Sequence, residues 1–396
     1  MGVGHALADL VAPVGVSRFF HTVQGRGHRR FPGRAGRFAD LLSWADVNRV
    51  LREHRLEFPR VRLAQDGEVV PAHTYSELVE TRRTGPVARL LPAAFAERMR
   101  GGATLVLDSV NELVGSVHEL AVSLEHELRE RVQVNLYAGW GVTHGFDVHW
   151  DDHDAFIVQV SGRKRWRVHG PTRPAPLQRD VAQPEPPSDE PLDDFILEDG
   201  DVLYVPRGHW HDVSAIGEES LHLTIGFNRA TGVDLVAWLA DRLRADEVFR
   251  ADLPRFATPE EQAAHADVLR ARVAELMDGG VVGRFLADRD AHGPAMSVMG
   301  LPWTATRELL PPGDEAEVRL LTPRAVLTSD ASTVTLAAAG RRLVFAAAAR
   351  PVLERLAGSA RHSVKSLVDA GAPALDRVTV RALLGELVTQ GLLAPE

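Results

Sequence analysis

The sequence contains no cysteine, and this absence removes several kinds of chemistry. Disulfide bonds, cysteine-bound zinc, iron–sulfur clusters and thiol nucleophiles are all excluded. Long apolar runs are missing as well, because no stretch approaches the ~18 residues that a membrane-spanning helix requires. No basic segment precedes an apolar stretch at the amino terminus, where Asp9 interrupts the few apolar residues. We therefore expect no signal peptide and a cytoplasmic location.

Positive charge is also in deficit. The 396 residues include 45 lysines and arginines against 54 aspartates and glutamates, which gives a formal net charge of −9. This balance argues against a general nucleic-acid coat or a membrane-surface protein. A hydrophobic fraction of 45% with 25% charged residues is typical of a folded globular chain. At roughly 100–200 residues per domain, the length predicts two or three domains.

The spacing of apolar residues changes along the chain. Helical spacing predicts helices over residues 44–53 and 117–131, and Ser116 with Glu119 has the spacing of a capping box. Alternation with a period of two then predicts short strands, over residues 132–137, 155–160, 164–168, 202–205 and 221–227. Short strands between turn residues favour a barrel or sandwich, so we expect an α+β fold. Amphipathic helices follow over residues 234–249 and 260–277.

The carboxy-terminal part returns to strands and short helices. Apolar residues recur at every second position on both sides of Gly340, which predicts a hairpin. Three short helical patterns follow, over residues 352–356, 364–368 and 378–388. This order is typical of a winged-helix module. Counted from its N-cap candidate Asp376, the last helix carries Arg377 and Arg381 but also Asp376 and Glu386, so no basic stripe forms for phosphate contacts. A protein-interaction or structural role is therefore favoured, and nucleic-acid binding is not expected.

The triplet His149-Trp150-Asp151 carries the first chemical signal. In an extended strand, residues i and i+2 point to the same face, so the His149 imidazole and the Asp151 carboxylate would project together. A second imidazole from residues 206–211, on a neighbouring strand, would complete a set of two histidines and one carboxylate. Such a set leaves coordination positions open and suits a non-haem Fe(II) oxygenase. The triplet alone is weak, because a chain with 17 histidines also produces it by chance.

Lys164 supplies a second signal. In the predicted strand 164–168 it shares the inward face with Trp166, whereas the neighbouring arginines face outward. An unpaired ammonium in the interior is costly, so an anion should accompany it. The distal carboxylate of a bound 2-oxoglutarate would supply that anion. The alternative is a buried aspartate as partner, or a lysine that extends to solvent at the strand end.

Two longer segments surround these residues, and each resembles a known signature. Residues 145–168 read GFDVHWDDHDAFIVQVSGRKRWRV, and residues 200–211 read GDVLYVPRGHWH. Both closely resemble the ligand segments of the cupin-4 type JmjC oxygenases, the ribosomal oxygenases that hydroxylate arginine or histidine side chains of ribosomal proteins. The resemblance implies a double-stranded β-helix (JmjC/cupin) barrel over residues 1–230. It also implies a helical dimerisation segment over 231–300 and a winged-helix-like domain over 301–396.

The resemblance also implies roles for individual residues. The implied Fe(II) ligands, which are also the catalytic residues, are His149, Asp151 and His211. The implied cosubstrate-binding residues are Lys164, Asn135 and Thr224. Four further residues are assigned near the site. Tyr137 lies on the substrate side or packs on the sheet, and Trp150 and Trp210 form walls. His153 lies outside the ligand set, where it orients a ligand or faces the substrate mouth. His209 would displace His211 as ligand if the register of the turn at Arg207 and Gly208 slipped.

The activity implied by the resemblance is that of an Fe(II)- and 2-oxoglutarate-dependent dioxygenase. Its substrate would be a side chain of a protein or peptide such as a ribosomal protein, and the chain would form a homodimer. Residues 180–206 contain many carboxylates and no lysine or arginine. They would attract a basic substrate if they border the barrel mouth, or would simply keep a proline-rich loop soluble. A natural-product or precursor-peptide hydroxylase and a non-enzymatic metal-binding cupin scaffold are the alternative interpretations.

Overall fold

The computed structural model describes residues 5–82, 85–141, 145–177, 185–358 and 360–396. The chain divides into two compact units, of which one ends at Asn228 and the other begins at Arg229. Within the ranges given, no helix has both the length and the apolar character needed to cross a membrane.

The first unit contains five α-helices and thirteen strands among its described residues. The helices are α1 (Ala6–Leu10), α2 (Val16–Thr22), α3 (Trp44–Glu53), α4 (Pro92–Arg100) and α5 (Gly115–Leu128). The strands are β1 (Arg29–Phe31), β2 (Val61–Gln65), β3 (Glu68–Val69), β4 (Ser76–Thr81), β5 (Gly85–Leu90), β6 (Thr104–Leu107), β7 (Val132–Gly139), β8 (Asp154–Ser161), β9 (Lys164–Val168), β10 (Asp193–Leu197), β11 (Val202–Val205), β12 (His211–Ser214) and β13 (Ser220–Phe227).

Two sheets of the first unit matter for the site. The larger is antiparallel, with eight strands in the order β1-β11-β8-β13-β7-β6-β2-β3, and the smaller has the order β10-β9-β12. Strand β8 alternates between two cores, because Phe156 and Val158 pack with the helices on one face. Ile157 instead packs with Trp166 of β9 and Leu197 of β10. The two sheets therefore face each other across an apolar layer.

The second unit begins with four α-helices, and its other three α-helices lie between the strands of two small sheets along the chain. Its helices are α6 (Gly232–Leu243), α7 (Glu247–Arg250), α8 (Pro259–Leu276), α9 (Val281–Ala291), α10 (Arg350–Leu356), α11 (Val364–Gly371) and α12 (Arg377–Thr389). Its strands are β14 (Glu317–Leu320), β15 (Val326–Ser329), β16 (Thr333–Ala338), β17 (Arg341–Ala346), β18 (His362–Ser363) and β19 (Leu393–Pro395), which form sheets of order β18-β14-β19 and β15-β16-β17. A separate core packs α10, α11 and α12 against these strands.

Two of the sequence-based expectations for helices are wrong. The capping box at Ser116 does not form, because α5 begins at Gly115 and the Ser116 hydroxyl donates to the carbonyl of Leu41. The helix expected over residues 234–249 is interrupted after Leu243. Asp246 starts the short helix α7 as its N-cap, since its carboxylate accepts from the amide of Val248.

Candidate metal centre

His149 and His211 meet through a single backbone bridge. The amide of His149 donates to the carbonyl of His211 at 3.1 Å, and the amide of His211 donates to the carbonyl of His149 at 2.8 Å. His211 opens β12, but His149 and Asp151 lie before β8, which begins only at Asp154. The His149–Asp151 pair therefore lies outside the regular strands, and the bridge to His211 fixes the extended backbone at His149.

The side chains of His149, Asp151 and His211 converge. One ligand atom of each lies within 4.8 Å of the ligand atoms of the other two. The two imidazole centroids are 4.3 Å apart, and Nε2 of His211 lies 3.7 Å from Oδ2 of Asp151. Across the described part of the chain, no other group of histidine, aspartate and glutamate side chains meets this spacing. The geometry supports the prediction that these three residues bind a metal.

Both imidazole rings are held through their Nδ1 atoms. Nδ1 of His149 lies 2.7 Å from the carbonyl oxygen of Asp147, and Nδ1 of His211 lies 3.1 Å from that of His209. A carbonyl can only accept, so each Nδ1 carries a proton and each Nε2 keeps its lone pair. Histidines that are oriented in this way present Nε2 to a metal ion.

The electrostatics of His211 and Asp151 favour the same chemistry. Burial, together with the charge of His149, lowers the pKa of His211 to about 4, so this imidazole is neutral at pH 7. Burial by itself would raise the pKa of Asp151, but the imidazoles of His211, His153 and His149 lower it and keep the carboxylate ionised. The neutral imidazole of His211 and the ionised carboxylate of Asp151 are the forms that bind a divalent cation.

The three side chains lie in one cavity, whose wall comes from both sheets. Its other lining residues are Thr104, Asn135, Tyr137, Gly145, Phe146, His153, Ala155, Ile157, Lys164, Trp166, Val205, Val213, His222 and Thr224. Trp150 and Trp210, which the sequence analysis assigned to the walls, are not among them. The indole N–H of Trp210 donates instead to the hydroxyl of Thr172 at 2.9 Å.

Lys164 is buried in this cavity, with 5% of its surface exposed. It lies on β9, where alternate residues are buried, and so shares the inner face with Trp166. Burial alone lowers the pKa of its ammonium to about 8, and no carboxylate within the described ranges contributes to that shift. Neither alternative for this lysine, a buried aspartate partner or a route to solvent, is therefore supported.

Asn135 and Thr224 lie opposite each other on β7 and β13, and both line the cavity. The side-chain oxygen of Asn135 accepts from the amide of Ser109 at 3.0 Å and from the side chain of Gln133 at 3.2 Å. The amide nitrogen of Asn135 carries two N–H groups, so it can donate to a ligand as well as to the hydroxyl of Tyr137, with which this side chain is hydrogen-bonded. Tyr137 lies two residues further along β7, where burial raises the pKa of its hydroxyl and keeps it neutral.

Two cavity residues, His222 and Trp166, were given no role in the sequence-based assignment. The His222 ring is stacked on Tyr137 at a centroid distance of 4.9 Å, and the Trp166 ring on His211 at 5.7 Å. The buried Nδ1 of His222 and the buried indole nitrogen of Trp166 have no hydrogen-bond partner among the described residues. The signal was present in the sequence, because His222 has the strand parity of Thr224, and Trp166 has that of Lys164.

The two remaining histidines of these segments stand outside the group. His209 lies in the turn before β12, and only its carbonyl oxygen contacts the ring of His211. His153 lines the cavity with Nδ1 3.2 Å from a carboxylate oxygen of Asp152. His153 is therefore placed beside the group, facing the same space.

Some carboxylates of the acidic segment are occupied by internal ion pairs. Asp194 binds Arg165 through two hydrogen bonds of 2.8 and 2.5 Å, and buried Asp201 lies 2.6 Å from Arg30. Residues 185–201 contribute nothing to the cavity lining, and Asp180 lies outside the described residues. Asp189 is exposed and forms no ion pair with a described residue. Asp194 and Asp201 are therefore structural, which weakens the prediction that the whole segment attracts a substrate.

Comparisons with known proteins find matches to the part of the chain that contains the cavity. Residues 117–235 match the family model of the JmjC domain. Ribosomal oxygenase 1 of Gallus gallus is 31% identical over 252 residues, which cover 61% of this chain and 40% of the relative. The bifunctional lysine-specific demethylase and histidyl-hydroxylase NO66 of Drosophila persimilis is 28% identical over 221 residues, which cover 55% of this chain and 31% of the relative. The chain thus spans less than half the length of these two relatives.

The likeness in fold extends further along the chain. The structure of YcfD, a ribosomal oxygenase from Escherichia coli in complex with cobalt and 2-oxoglutarate, covers 96% of this chain and 98% of its own, with a TM-score of 0.56 and 19% identity. This comparison shows a common fold. The resemblance read from residues 145–168 and 200–211 is confirmed by the family match, because both segments lie within it. Residues 117–235 of the chain are therefore similar to the JmjC domain.

Proposed function

We propose that the chain is an Fe(II)- and 2-oxoglutarate-dependent oxygenase that hydroxylates a side chain of a protein or peptide. One observation carries this proposal. A single cavity contains a convergent group of two histidines and one carboxylate, together with a buried lysine for which no described residue supplies a counter-charge.

The residues of the cavity fit Fe(II) and 2-oxoglutarate. Nε2 of His149, Nε2 of His211 and the Asp151 carboxylate would hold the metal on one side and leave its other positions open. Fe(II) and 2-oxoglutarate together supply the activation of O₂ that places a hydroxyl on an unactivated carbon. The protein binds and orients the two groups.

The inner end of the cavity fits the distal carboxylate of the cosubstrate. Lys164 would form the ion pair that its buried ammonium lacks among the described residues. From the facing sheet, the amide nitrogen of Asn135 and the hydroxyl of Thr224 would donate to the cosubstrate. The rings of Trp166 and Phe146 line the same space and would keep water from the reacting atoms.

The names of the relatives support a protein substrate, and we extend the proposal to a ribosomal protein. A small-molecule hydroxylase would need the same metal and cosubstrate residues, and only its substrate differs. A metal-binding scaffold would have no use for Lys164, whose burial without an anion costs stability. The enzyme interpretation is therefore favoured over the scaffold.

We also propose roles for the rest of the chain. The facing sheets of residues 1–230 would form a double-stranded β-helix barrel, and residues 301–396 a winged-helix-like domain for protein contacts. Residues 231–300 would mediate a homodimer, a role supported by α8, in which no residue is buried in the single chain. The location we propose is the cytoplasm.

The proposed function is tested by incubating the chain with Fe(II), 2-oxoglutarate, O₂ and a mixture of ribosomal proteins. We expect succinate release that depends on the protein mixture, and one protein that gains the mass of a single oxygen atom in intact-mass and fragment spectra. Succinate without a mass change in any protein would favour a small-molecule substrate. If the parent chain released no succinate at all, the oxygenase assignment would fail.

The exposed carboxylates Asp189 and Glu190 provide a narrower test of a basic substrate. We expect the variant Asp189→Asn/Glu190→Gln to raise the KM for a basic peptide about threefold at low salt, and less at high salt, because screening weakens exposed charges. Steady-state kinetics at two salt concentrations measure this. Asp194→Asn is the control, since that carboxylate is already paired with Arg165. A KM of the double variant equal to that of the parent at low salt would remove the acidic segment from substrate binding.

A further inference from the structure

Asp154 is a buried carboxylate three residues beyond Asp151, with 2% of its surface exposed. Its Oδ2 accepts from the hydroxyl of Tyr204 at 2.7 Å, and its Oδ1 accepts from the backbone amide of Arg207 at 3.0 Å. The Tyr204 hydroxyl accepts in turn from the amide of Gly25 at 2.8 Å. One carboxylate therefore joins two separate parts of the first unit, the amino-terminal segment and the turn that contains Arg207.

The turn formed by residues 206–210 leads directly into His211. The amide of Gly208 donates to the carbonyl of Asp151 at 2.9 Å, so the segment 151–154 binds two consecutive amides of the turn. Gly208 has a φ of 83°, and a Cβ at this position would lie 2.5 Å from the ring of Pro176. The backbone conformation of the turn is thereby restricted to one that glycine adopts without strain.

The turn also orients the imidazole of His211. The carbonyl of His209, inside the turn, lies 3.1 Å from Nδ1 of His211 and fixes the rotation of the ring. A shift of the turn would move this carbonyl and rotate Nε2 away from Asp151 and His149. Groups that hold a histidine ligand from behind commonly change metal affinity by about 10- to 100-fold when they are replaced.

We propose that Asp154 is a positioning residue for His211. Through the amide of Arg207 it holds the turn of residues 206–210 in the conformation that aims Nε2 of His211 at the metal position. This inference rests on the proposed function, because it presumes that His149, Asp151 and His211 bind a metal. It adds a residue outside the ligand group, which acts on the metal only through the turn.

The two hydrogen bonds of Asp154 can be separated by substitution. Tyr204→Phe removes the bond to the amino-terminal segment and leaves the bond to Arg207. Asp154→Ala removes both bonds. Asp154→Asn leaves one side-chain oxygen for two donors, the hydroxyl of Tyr204 and the amide of Arg207. It therefore holds the turn less firmly than the parent does.

The test is Co(II) affinity and the Co(II) absorption spectrum of the full chain, measured beside thermal unfolding. We expect Tyr204→Phe to lower the unfolding temperature but to keep the parent affinity and spectrum. Asp154→Ala should bind Co(II) at least tenfold more weakly, with a changed spectrum, and Asp154→Asn should lie between the two. The spectrum reports coordination geometry, which a general loss of stability does not alter in the folded fraction.

The inference would be overturned by an Asp154→Ala variant that binds Co(II) as the parent does. It would also be overturned if Tyr204→Phe lost as much affinity as Asp154→Ala, because the effect would then come from the amino-terminal segment. If Asp154→Ala does not fold, the comparison of Asp154→Asn with Tyr204→Phe decides, and equal affinities reject the proposal. Absence of Co(II) binding by the parent itself would instead reject the proposed function.

Discussion

The variant His149→Ala is expected to bind Fe(II) about 100-fold more weakly than the parent chain, or worse, and to release no succinate. Replacing a group behind a ligand already costs 10- to 100-fold in metal affinity, so the loss of one of three ligands should cost at least as much. No other described residue completes the group, because only one set of side chains meets the required spacing. Calorimetric titration with Fe(II) under anaerobic conditions measures the affinity.

His153→Ala is the matched control for this prediction. It removes the same side chain from the same cavity, four residues further along, and leaves all three proposed ligands in place. We expect it to bind Fe(II) within about threefold of the parent, since His153 lies outside the ligand group. If His153→Ala lost as much affinity as His149→Ala, the ligand assignment would have to be revised.

The variant Lys164→Met is expected to raise the Kd for 2-oxoglutarate by two to three powers of ten, roughly, because one partner of a buried charge pair is lost. Methionine keeps most of the volume of the lysine and removes the charge. The same change should stabilise the chain in the absence of cosubstrate, since it removes a buried ammonium without a partner among the described residues. Calorimetric titration and thermal unfolding of the same sample measure both effects.

The pH dependence of the parent distinguishes this role from a packing effect. Burial lowers the pKa of Lys164 from 10.5 to about 8, so the ammonium that attracts the cosubstrate is present below pH 8 and is lost above it. The affinity of the parent for 2-oxoglutarate should therefore fall above about pH 8. The unfolded chain binds the proton up to pH 10.5, so the stability of the cosubstrate-free parent should rise between pH 8 and 10.5, relative to Lys164→Met. A constant difference across this range would contradict the assignment.

Local periodicity predicted the parts of the site that depend on one strand at a time. Alternation in residues 164–168 placed Lys164 on the buried face, and the bounds of β9 and β11 agree with the predicted strands. The spacing of His149 and Asp151 also predicted that their side chains project together, although the supporting backbone is a bridge and not a strand. Such features are readable because they depend on neighbouring residues.

Features that depend on pairing between distant segments were not readable. One partner of the Asp154 carboxylate is the amide of Arg207, and nothing in either segment alone indicates this bond. The pairing of Asp194 with Arg165 joins β10 to β9, so a residue expected at a substrate mouth holds two strands together. Composition predicted the negative charge of this segment, but only the register of the sheet decides which carboxylates remain open to a partner.

The site residues are divided between two layers of the fold. Lys164, Trp166 and His211 belong to the smaller sheet, whereas Asn135 and Thr224 belong to the larger. A cation and a dicarboxylate bound between the two sheets would contact both of them. Because these ligands bind the folded chain, they would raise its free energy of unfolding by mass action. The unfolding temperature of this protein would then depend on the concentrations of iron and cosubstrate. In a cell that lacks either one, the same chain would unfold more readily.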